Sequence, residues 1–163
     1  MVMPLPLPGA DCLALIDAVV AERTKEPNKS FFQSIAAEWK VRVGVYIAHG
    51  GSPGQVQSWP AAVAKGVAFK NLYSHPAEGS AQGAVLETIR DHDLDLCPAC
   101  GSPTPPETLD HYLPKGRYPQ FAITPVNLTP MCDPCQRRKK EKTGNAVSPR
   151  FFIHPYFDSF SLP

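Results

Sequence analysis

Four of the five cysteines in this chain of 163 residues form two Cys-x-x-Cys pairs. Cys97 and Cys100 make the first pair, and Cys132 and Cys135 make the second, with 31 residues between the pairs. A tight turn inside each pair can direct both thiolates toward one ion, and two such turns complete a tetrahedral site for which Zn²⁺ is the usual ion. Four thiolates leave no position for water, so we expect this zinc to stabilise the fold and to take no part in catalysis.

Two other interpretations of these cysteines stay open. The pairs could be unrelated to each other, or one of them could be a redox-active dithiol, although neither lies in the βαβ context typical of redox motifs. The fifth cysteine, Cys12, falls on the apolar face of a predicted helix. At such a position we expect a buried thiol with no chemical role.

The segment around the second cysteine pair carries polar residues that could hydrolyse a phosphodiester. Asp110 and His111 form an Asp-His dipeptide, Asn127 follows further along, and Gln136 comes directly after the last cysteine. A neutral imidazole accepts a proton near pH 7, so His111 is a candidate general base. The carboxylate of Asp110 is a hard oxygen ligand suited to Mg²⁺ or Mn²⁺, which can act as a Lewis acid on a phosphate. The alternative for the dipeptide is a strand-end pair that caps a turn.

Basic residues cluster around these candidates. The cations in question are Lys115, Arg117, Arg137, Arg138, Lys139 and Lys140. Residues 110–150 carry 8 basic and 3 acidic side chains, whereas residues 1–109 carry 8 basic and 11 acidic ones. We therefore expect the second region to bind the phosphates of a nucleic acid, and the acidic balance of the first region argues against DNA contact there. An ordinary solvated helix face is the alternative for the basic run.

The order of these motifs resembles that of the HNH nucleases with the ββα-metal fold. It is similar to the subclass in which a zinc ion bound by four cysteines stabilises the fold. The resemblance covers about residues 94–145. In that family an Asp-His pair closes the first strand of a hairpin, an Asn-Leu pair follows the second strand, and a polar metal ligand directly follows the last cysteine. The resemblance implies a metal-dependent endonuclease that acts on DNA and leaves 5′-phosphate and 3′-hydroxyl ends.

The resemblance also implies a role for each matching residue. His111 would activate the attacking water, Asp110 and Gln136 would hold one Mg²⁺ or Mn²⁺ ion, and Asn127 would support the loop and the orientation of the histidine. The family usually has His or Asn at the position of Gln136, whose side chain is one methylene group longer than that of Asn. Two alternatives of other classes stay open: a nucleic-acid-binding module with weak or no cleavage, and a protein-interaction adaptor that uses the helices.

Hydrophobic periodicity predicts the elements that must position these residues. Residues 1–92 read as a helical region of unknown role, residues 93–148 as the zinc-stabilised module, and residues 149–163 as an aromatic tail that packs on the module. The predicted fold class is therefore α+β, with an N-terminal helical region followed by a zinc-stabilised ββα-metal module.

Capping residues and the spacing of apolar residues predict the bounds of the individual helices and strands. A helix over 11–23 should be capped by Asp11, a second helix should be capped by Ser30, and shorter helices are expected over 60–65, 69–73 and 81–90. The predicted buried positions are Leu13, Ile16, Val19 and Val20 in the first helix and Phe31, Ile35, Trp39, Val43, Tyr46 and Ile47 in the second. Strands are expected over 108–113 and 120–124, and a basic helix over 133–143.

No run of the sequence approaches the roughly 20 apolar residues that a membrane-spanning helix needs. The first residues lack the basic start of a signal peptide and contain Pro4, Pro6 and Pro8. We therefore expect a cytoplasmic protein, in which paired cysteines more often bind metal than form disulfides. The helical region could cover the module, form a dimer or bind a protein partner.

Overall fold

The computed structural model describes residues 4–144 and 147–158. Within these residues the helices are α1 (Cys12–Ala21), α2 (Asn28–Ala48), α3 (Pro60–Ala64), α4 (Gly66–Ser74), α5 (Ala81–Arg90) and α6 (Asp133–Lys139). The strands β1 (Thr108–His111) and β2 (Leu128–Met131) form one antiparallel sheet, and two 3-10 helices cover Pro119–Phe121 and Pro125–Asn127. The α+β class predicted from the sequence is confirmed.

Helix α1 begins where the sequence predicts. The side chain of Asp11 accepts hydrogen bonds from the backbone nitrogens of Leu13 and Ala14, at 2.8 and 3.0 Å, and so caps the first turn. The predicted apolar face is wrong in one respect, because Leu13 is exposed whereas Cys12 and Leu15 are buried. The packing of α1 against α2 and α5 selects this rotation, which periodicity along α1 alone does not determine.

Helix α2 begins at Asn28, so the prediction that Ser30 caps it is wrong. Ser30 lies inside the first turn, where its backbone nitrogen and its hydroxyl both donate to the carboxylate of Glu26, at 3.2 and 2.7 Å. This carboxylate therefore supplies the acceptor that was expected from a serine cap. Of the predicted core positions, Trp39, Val43 and Tyr46 are buried, Phe31 and Ile35 are partly buried, and Ile47 is exposed.

The three shorter helices agree with their predictions to within a few residues. Helix α5 has the predicted bounds, α3 is one residue shorter, and α4 is longer because it begins at Gly66. Within the described part of the chain, none of the helices is both long and apolar enough to cross a membrane.

One hydrophobic core joins the helical region to the segment between the strands. Phe32, Trp39 and Phe69 form an aromatic cluster whose ring centroids are 5.0, 5.3 and 5.6 Å apart. The Nε1 atom of Trp39 donates to the backbone oxygen of Gln120 at 2.7 Å. Because α2 contributes both the ring and this donor, the loop before β2 is fixed on the helical region.

The hairpin of β1 and β2 pairs Asp110 with Thr129 and His111 with Leu128. Strand β1 ends at His111, so the Asp-His dipeptide closes it, and the predicted extension to residue 113 is wrong. Beyond His111 the chain turns into a loop of residues 112–127, which is buried except at residues 115–117.

The predicted second strand over residues 120–124 is wrong. Pro119 and Pro125 each begin a 3-10 helix instead, because proline fixes φ and has no N–H group to donate to a strand. The second strand starts at Leu128. Asn127 therefore precedes this strand, whereas the family pattern had placed it after the strand.

Helix α6 ends at Lys139, earlier than the predicted residue 143, because Lys140 adopts a φ of 49° that leaves the helix. Past that point the tail lies against the module. The hydroxyl of Tyr156 donates to the backbone oxygen of Leu128 at 2.8 Å, and the hydroxyl of Tyr112 donates to that of Phe152 at 2.9 Å. Residues 145–146 of the predicted module and 159–163 of the predicted tail fall outside the described residues.

Candidate functional site

The hairpin brings the two cysteine pairs together. Cys97 and Cys100 lie in the loop before β1, and Cys132 and Cys135 lie at the start of α6, directly after β2. Because β1 and β2 are antiparallel, the start of β1 lies beside the end of β2. The four Sγ atoms all lie within 4.8 Å of one another. The prediction of one four-cysteine cluster that is able to bind a metal ion is confirmed.

The spacing of the sulfurs fits a single ion. The Sγ atoms of Cys100 and Cys132 are 3.9 Å apart, close to the separation of about 3.8 Å in a tetrahedral site with Zn–S bonds of about 2.3 Å. Gly101 follows the first pair with a φ of 70°, a left-handed conformation that a tight turn requires. The backbone nitrogen of Cys132 donates to Sγ of Cys97 at 3.4 Å. This donor set fits a structural metal ion such as zinc.

The surroundings of the thiols shift their pKa values in different directions. Burial raises the pKa of Cys135 and of Cys132, and the neighbouring thiols raise that of Cys135 further. Burial opposes ionisation of Cys97 as well, but backbone N–H groups at Cys132, Cys100 and Ala99 together lower its pKa to about 7. Four thiolates at this spacing would repel one another, so a bound cation is needed to keep all four ionised.

Loss of one cysteine ligand should release the metal and destabilise the fold. We expect one metal ion per purified chain and its loss in Cys132→Ser, because a hydroxyl replaces a thiolate ligand poorly. Metal binding adds directly to folding free energy, so the thermal midpoint should fall by about 10 °C or more. Elemental analysis measures the metal content, and calorimetry measures the thermal midpoint of unfolding. Cys12→Ser, outside the cluster, should keep the ion, and full metal content in Cys132→Ser would contradict the assignment.

A cleft of about 370 Å³ opens at the end of β1. Its walls carry the Asp-His dipeptide, an amide, a second carboxyl group and three lysines, namely Asp110, His111, Gln136, Glu141, Lys70, Lys115 and Lys140. The structure thus brings the dipeptide, Gln136 and two of the predicted basic residues to one place. It also adds Lys70 of α4 and Glu141, which the sequence analysis had not selected.

His111 ends β1 and is 4% exposed. Its Nε2 lies 2.9 Å from the backbone oxygen of Ala122. A carbonyl oxygen can only accept, so Nε2 carries the hydrogen and Nδ1 keeps its lone pair. The ring of Tyr73 meets the imidazole edge-on, with centroids 4.5 Å apart. Burial lowers the pKa of His111 to about 3, and the charges of Lys115 and Lys139 add to this effect, so the imidazole is neutral at pH 7.

Asp110 forms a buried ion pair with Lys139. The Oδ2 atom of Asp110 lies 2.8 Å from Nζ of Lys139, which also donates to the backbone oxygen of His111 at 2.7 Å. Burial raises the pKa of Asp110, and the charge of Lys139 opposes this rise. The prediction that Lys139 contacts nucleic acid is wrong, because its side chain is 4% exposed and its ammonium group joins α6 to β1.

Gln136 lies at the middle of α6, beside β1. Its Nε2 donates to the backbone oxygen of Leu109 at 3.3 Å, which leaves Oε1 as the atom able to ligate a cation. Asp110 and Gln136 therefore offer hard oxygen donors to the same cleft. Among the described residues, only the four cysteines form a cluster of three or more His, Cys, Asp or Glu ligands. An ion at Asp110 would take most of its ligands from water or substrate oxygens, as Mg²⁺ usually does.

The lysines make the cleft positive. Burial lowers the pKa of Lys115, the charge of Lys70 lowers it further, and Asp110 and Glu141 oppose the shift. The ammonium group of Lys115 lies 4.9 Å from the ring centroid of Tyr73, a cation–π contact. Since Asp110 is already balanced by its ion pair, Glu141 is the remaining carboxylate among three lysines of the cleft. This excess of positive charge favours an anionic ligand.

Asn127 is fully buried and does not line the cleft. Its Oδ1 accepts from the backbone nitrogen of Leu113 at 2.8 Å and from the hydroxyl of Tyr46 at 3.0 Å. Its Nδ2 donates to the backbone oxygens of Leu113 and Phe121, at 3.1 and 3.0 Å. These four bonds close the loop between the strands and fix the segment whose carbonyl group orients the imidazole.

The hydroxyl of Tyr46 extends this network to the tail. It lies 2.9 Å from Nε2 of His154, whose Nδ1 accepts from the backbone nitrogen of Tyr156 at 3.2 Å. Because Nδ1 is the acceptor, Nε2 donates to Tyr46, which in turn donates to Asn127. Burial lowers the pKa of His154 to about 3, so this ring is neutral. The sequence indicated only that Tyr46 is a core residue, since its polar partners are distant along the chain.

Tyr46→Phe should lower the free energy of unfolding by about 1–3 kcal/mol, because the buried Oδ1 of Asn127 and Nε2 of His154 both lose a partner. Unfolding in urea measures the change. Tyr118→Phe is the matched control, since Tyr118 is also buried and its hydroxyl makes no hydrogen bond within the described residues. It should have a much smaller effect, and equal losses in the two variants would show that the network is not important for stability.

The predicted arginine contacts lie on the surface outside the cleft. Arg117, Arg137 and Arg138 are exposed. Arg137 forms an ion pair with Asp133 one turn earlier in α6, and Nη1 of Arg117 reaches the hydroxyl of Thr143 at 3.5 Å. The predicted nucleic-acid residues therefore separate into two cleft lysines, three surface arginines and one buried lysine.

Comparisons with known proteins give one partial match. The chain is 37% identical over 64 residues to Protein ea31 of Escherichia phage lambda. The match covers 39% of this chain and 22% of the phage protein, so it spans well under a third of that protein's length. No family model matches the chain, and no solved structure matches it.

Proposed function

We propose that this chain is a metal-dependent HNH endonuclease that hydrolyses phosphodiester bonds in DNA. In this proposal β1, β2 and α6 form the ββα-metal module, and the cysteine cluster holds a structural zinc ion. The observation that carries the proposal is the hydrogen bond from Nε2 of His111 to the oxygen of Ala122. It leaves Nδ1 with a free lone pair, which a general base needs, on a residue that lines the same cleft as Asp110 and three lysines.

Five residues of the cleft have a role in the proposed reaction. Nδ1 of His111 takes a proton from the attacking water as its oxygen bonds to phosphorus, while the bond from phosphorus to the 3′ oxygen breaks and the leaving oxygen takes a proton from solvent water. Lys115 and Lys140 offset the negative charge that grows on the phosphate oxygens. Asp110 and Oε1 of Gln136 would hold one Mg²⁺ or Mn²⁺ ion, which supplies Lewis-acid stabilisation of that charge when bound.

The exposed arginines would extend phosphate binding beyond the cleft. Arg137 and Arg138 lie on the surface of α6, and Arg117 lies on the loop after β1. Such contacts to the DNA backbone carry no sequence information and weaken as salt rises. The proposal therefore includes DNA binding that depends on ionic strength.

Nicking of supercoiled plasmid DNA in Mg²⁺ or Mn²⁺ tests the function. His111→Ala should lower the rate by about 10²–10⁴-fold, the usual contribution of a general base. Both proteins should hold the same amount of zinc. His75→Ala is the matched control, because this histidine is exposed and lies outside the cleft. Equal nicking by wild type and His111→Ala would exclude His111 as the base.

A specific observation favours a second candidate, a module that binds DNA but cleaves it weakly. The side chain of Gln136 is tied to Leu109 through Nε2, and its extra methylene group displaces the oxygen relative to the asparagine of the family. An error of about 1 Å in the position of a catalytic group can cost roughly 10²-fold in rate. This candidate keeps the zinc module and the DNA affinity while lowering the catalytic rate.

Gln136→Asn separates the two candidates. If the length of Gln136 limits catalysis, the shorter amide should raise the nicking rate by up to about 10²-fold and tighten Mn²⁺ binding, measured by electron paramagnetic resonance. Gln136→Leu removes the oxygen at similar size and should weaken both. No nicking by wild type together with salt-dependent DNA binding would support the binding module, whereas fast nicking by wild type would exclude it.

A further inference from the structure

Helix α4 belongs to the helical region, yet it forms one wall of the cleft. Phe69 and Leu72 are buried and anchor the helix in the core. Between them along the chain, Lys70 lines the cleft. Tyr73 is three residues further on, and its hydroxyl donates to the backbone oxygen of Leu109 at 3.1 Å. Residues three apart share one face of a helix, so α4 presents Lys70 and Tyr73 together to the end of β1.

Tyr73 connects α4 to two residues of the candidate site. Its ring meets the imidazole of His111 with centroids 4.5 Å apart, and the ammonium group of Lys115 lies 4.9 Å from the same ring centroid. The aromatic face stabilises a cation that is partly removed from water. Tyr73 thus fixes the position of α4 relative to the loop that carries Lys115.

Lys70 and Lys115 are partly buried cations that share the cleft and form no ion pair within the described residues. The charge of Lys70 contributes to lowering the pKa of Lys115. Of the acidic groups that face them, Asp110 is paired with Lys139, and Glu141 is exposed to solvent beyond the end of α6. Like charges held together at reduced solvation cost free energy, and a bound anion would offset that cost.

We propose that Lys70 and Lys115 together bind one phosphate group of the DNA backbone, so that the helical region forms part of the nucleic-acid site. The choice of DNA rests on the proposed function, but the binding does not depend on cleavage. A phosphate offers several oxygens, so ammonium groups from two different elements can contact it at once. The acidic composition of residues 1–109 argues against DNA contact by that region. The fold nevertheless places one lysine of that region, Lys70, in the cleft.

The test is DNA binding by Lys70→Gln in the full chain with its zinc. A short fluorescein-labelled duplex is titrated by fluorescence anisotropy at several salt concentrations, with Ca²⁺ in place of Mg²⁺ so that binding is measured without cleavage. The affinity should fall roughly 3–10-fold, and the slope of log K against log salt should decrease by about 1. Lys70→Arg keeps the charge and should bind like wild type.

Lys29→Gln is the matched control, since Lys29 is an exposed lysine of α2 outside the cleft. It should leave the affinity and the salt slope unchanged, and a Lys70→Gln variant that behaves in the same way would overturn the proposal. The double variant Lys70→Gln/Lys115→Gln should lose less affinity than the product of the single losses, because the two lysines share one phosphate. If the double variant loses affinity by the product of the two single losses, the two lysines bind separate phosphates, and the shared site is overturned.

Separate measurements of DNA binding and of DNA cleavage distinguish a failure of this phosphate site from a failure of the proposed nuclease function. If Lys70→Gln weakens DNA binding while wild type never nicks plasmid DNA, the phosphate site stands and the nuclease proposal fails. If nicking depends on His111 while Lys70→Gln binds DNA normally, the nuclease proposal stands and the phosphate site fails. A wild-type chain without any salt-dependent affinity for DNA would overturn the phosphate site.

Discussion

The buried carboxamide of Asn127 is the interaction on which the candidate site depends. It makes four hydrogen bonds, which satisfy the backbone groups of Leu113 and Phe121 in the loop between β1 and β2 and the hydroxyl of Tyr46. Such a loop can be buried only if its polar groups are paired, because each unpaired one costs about 1–3 kcal/mol. The same bonds hold the segment of Ala122, whose carbonyl oxygen decides which nitrogen of His111 carries the proton.

Helix α6 is held in place at both ends by contacts outside the helix. It has 7 residues, a length at which helix formation alone is unfavourable in water. The cysteine cluster holds its first turn, and the buried ion pair of Lys139 with Asp110 holds its last turn. Gln136 lies between these two anchors, so its position over the cleft is determined by the strands and by the cysteine cluster.

The helical region supplies the core that a two-stranded module lacks. A two-stranded hairpin is at best marginally stable by itself, and here three aromatic residues from the helices contact its first strand and the loop between its strands. Trp39 donates to Gln120, Tyr46 to Asn127 and Tyr73 to Leu109, while the rings pack in the interior or against the cleft. Each ring therefore combines apolar packing with one polar contact that orients a segment of the site.

The sequence alone was sufficient where the deciding contacts are close along the chain, as in the cap at Asp11, the bounds of α5 and the turns that hold each cysteine pair. It misplaced the second strand, because alternating residues favoured residues 120–124 whereas Pro119 and Pro125 bend that segment into turns. Only the tertiary structure determined whether each lysine side chain is buried or lines the cleft. Lys139 points inward because a buried Asp110 needs a counter-charge, and Lys70 reaches the cleft because Phe69 and Leu72 fix the rotation of α4. Sequence specifies the charge of a side chain, but packing between distant segments determines what that charge faces.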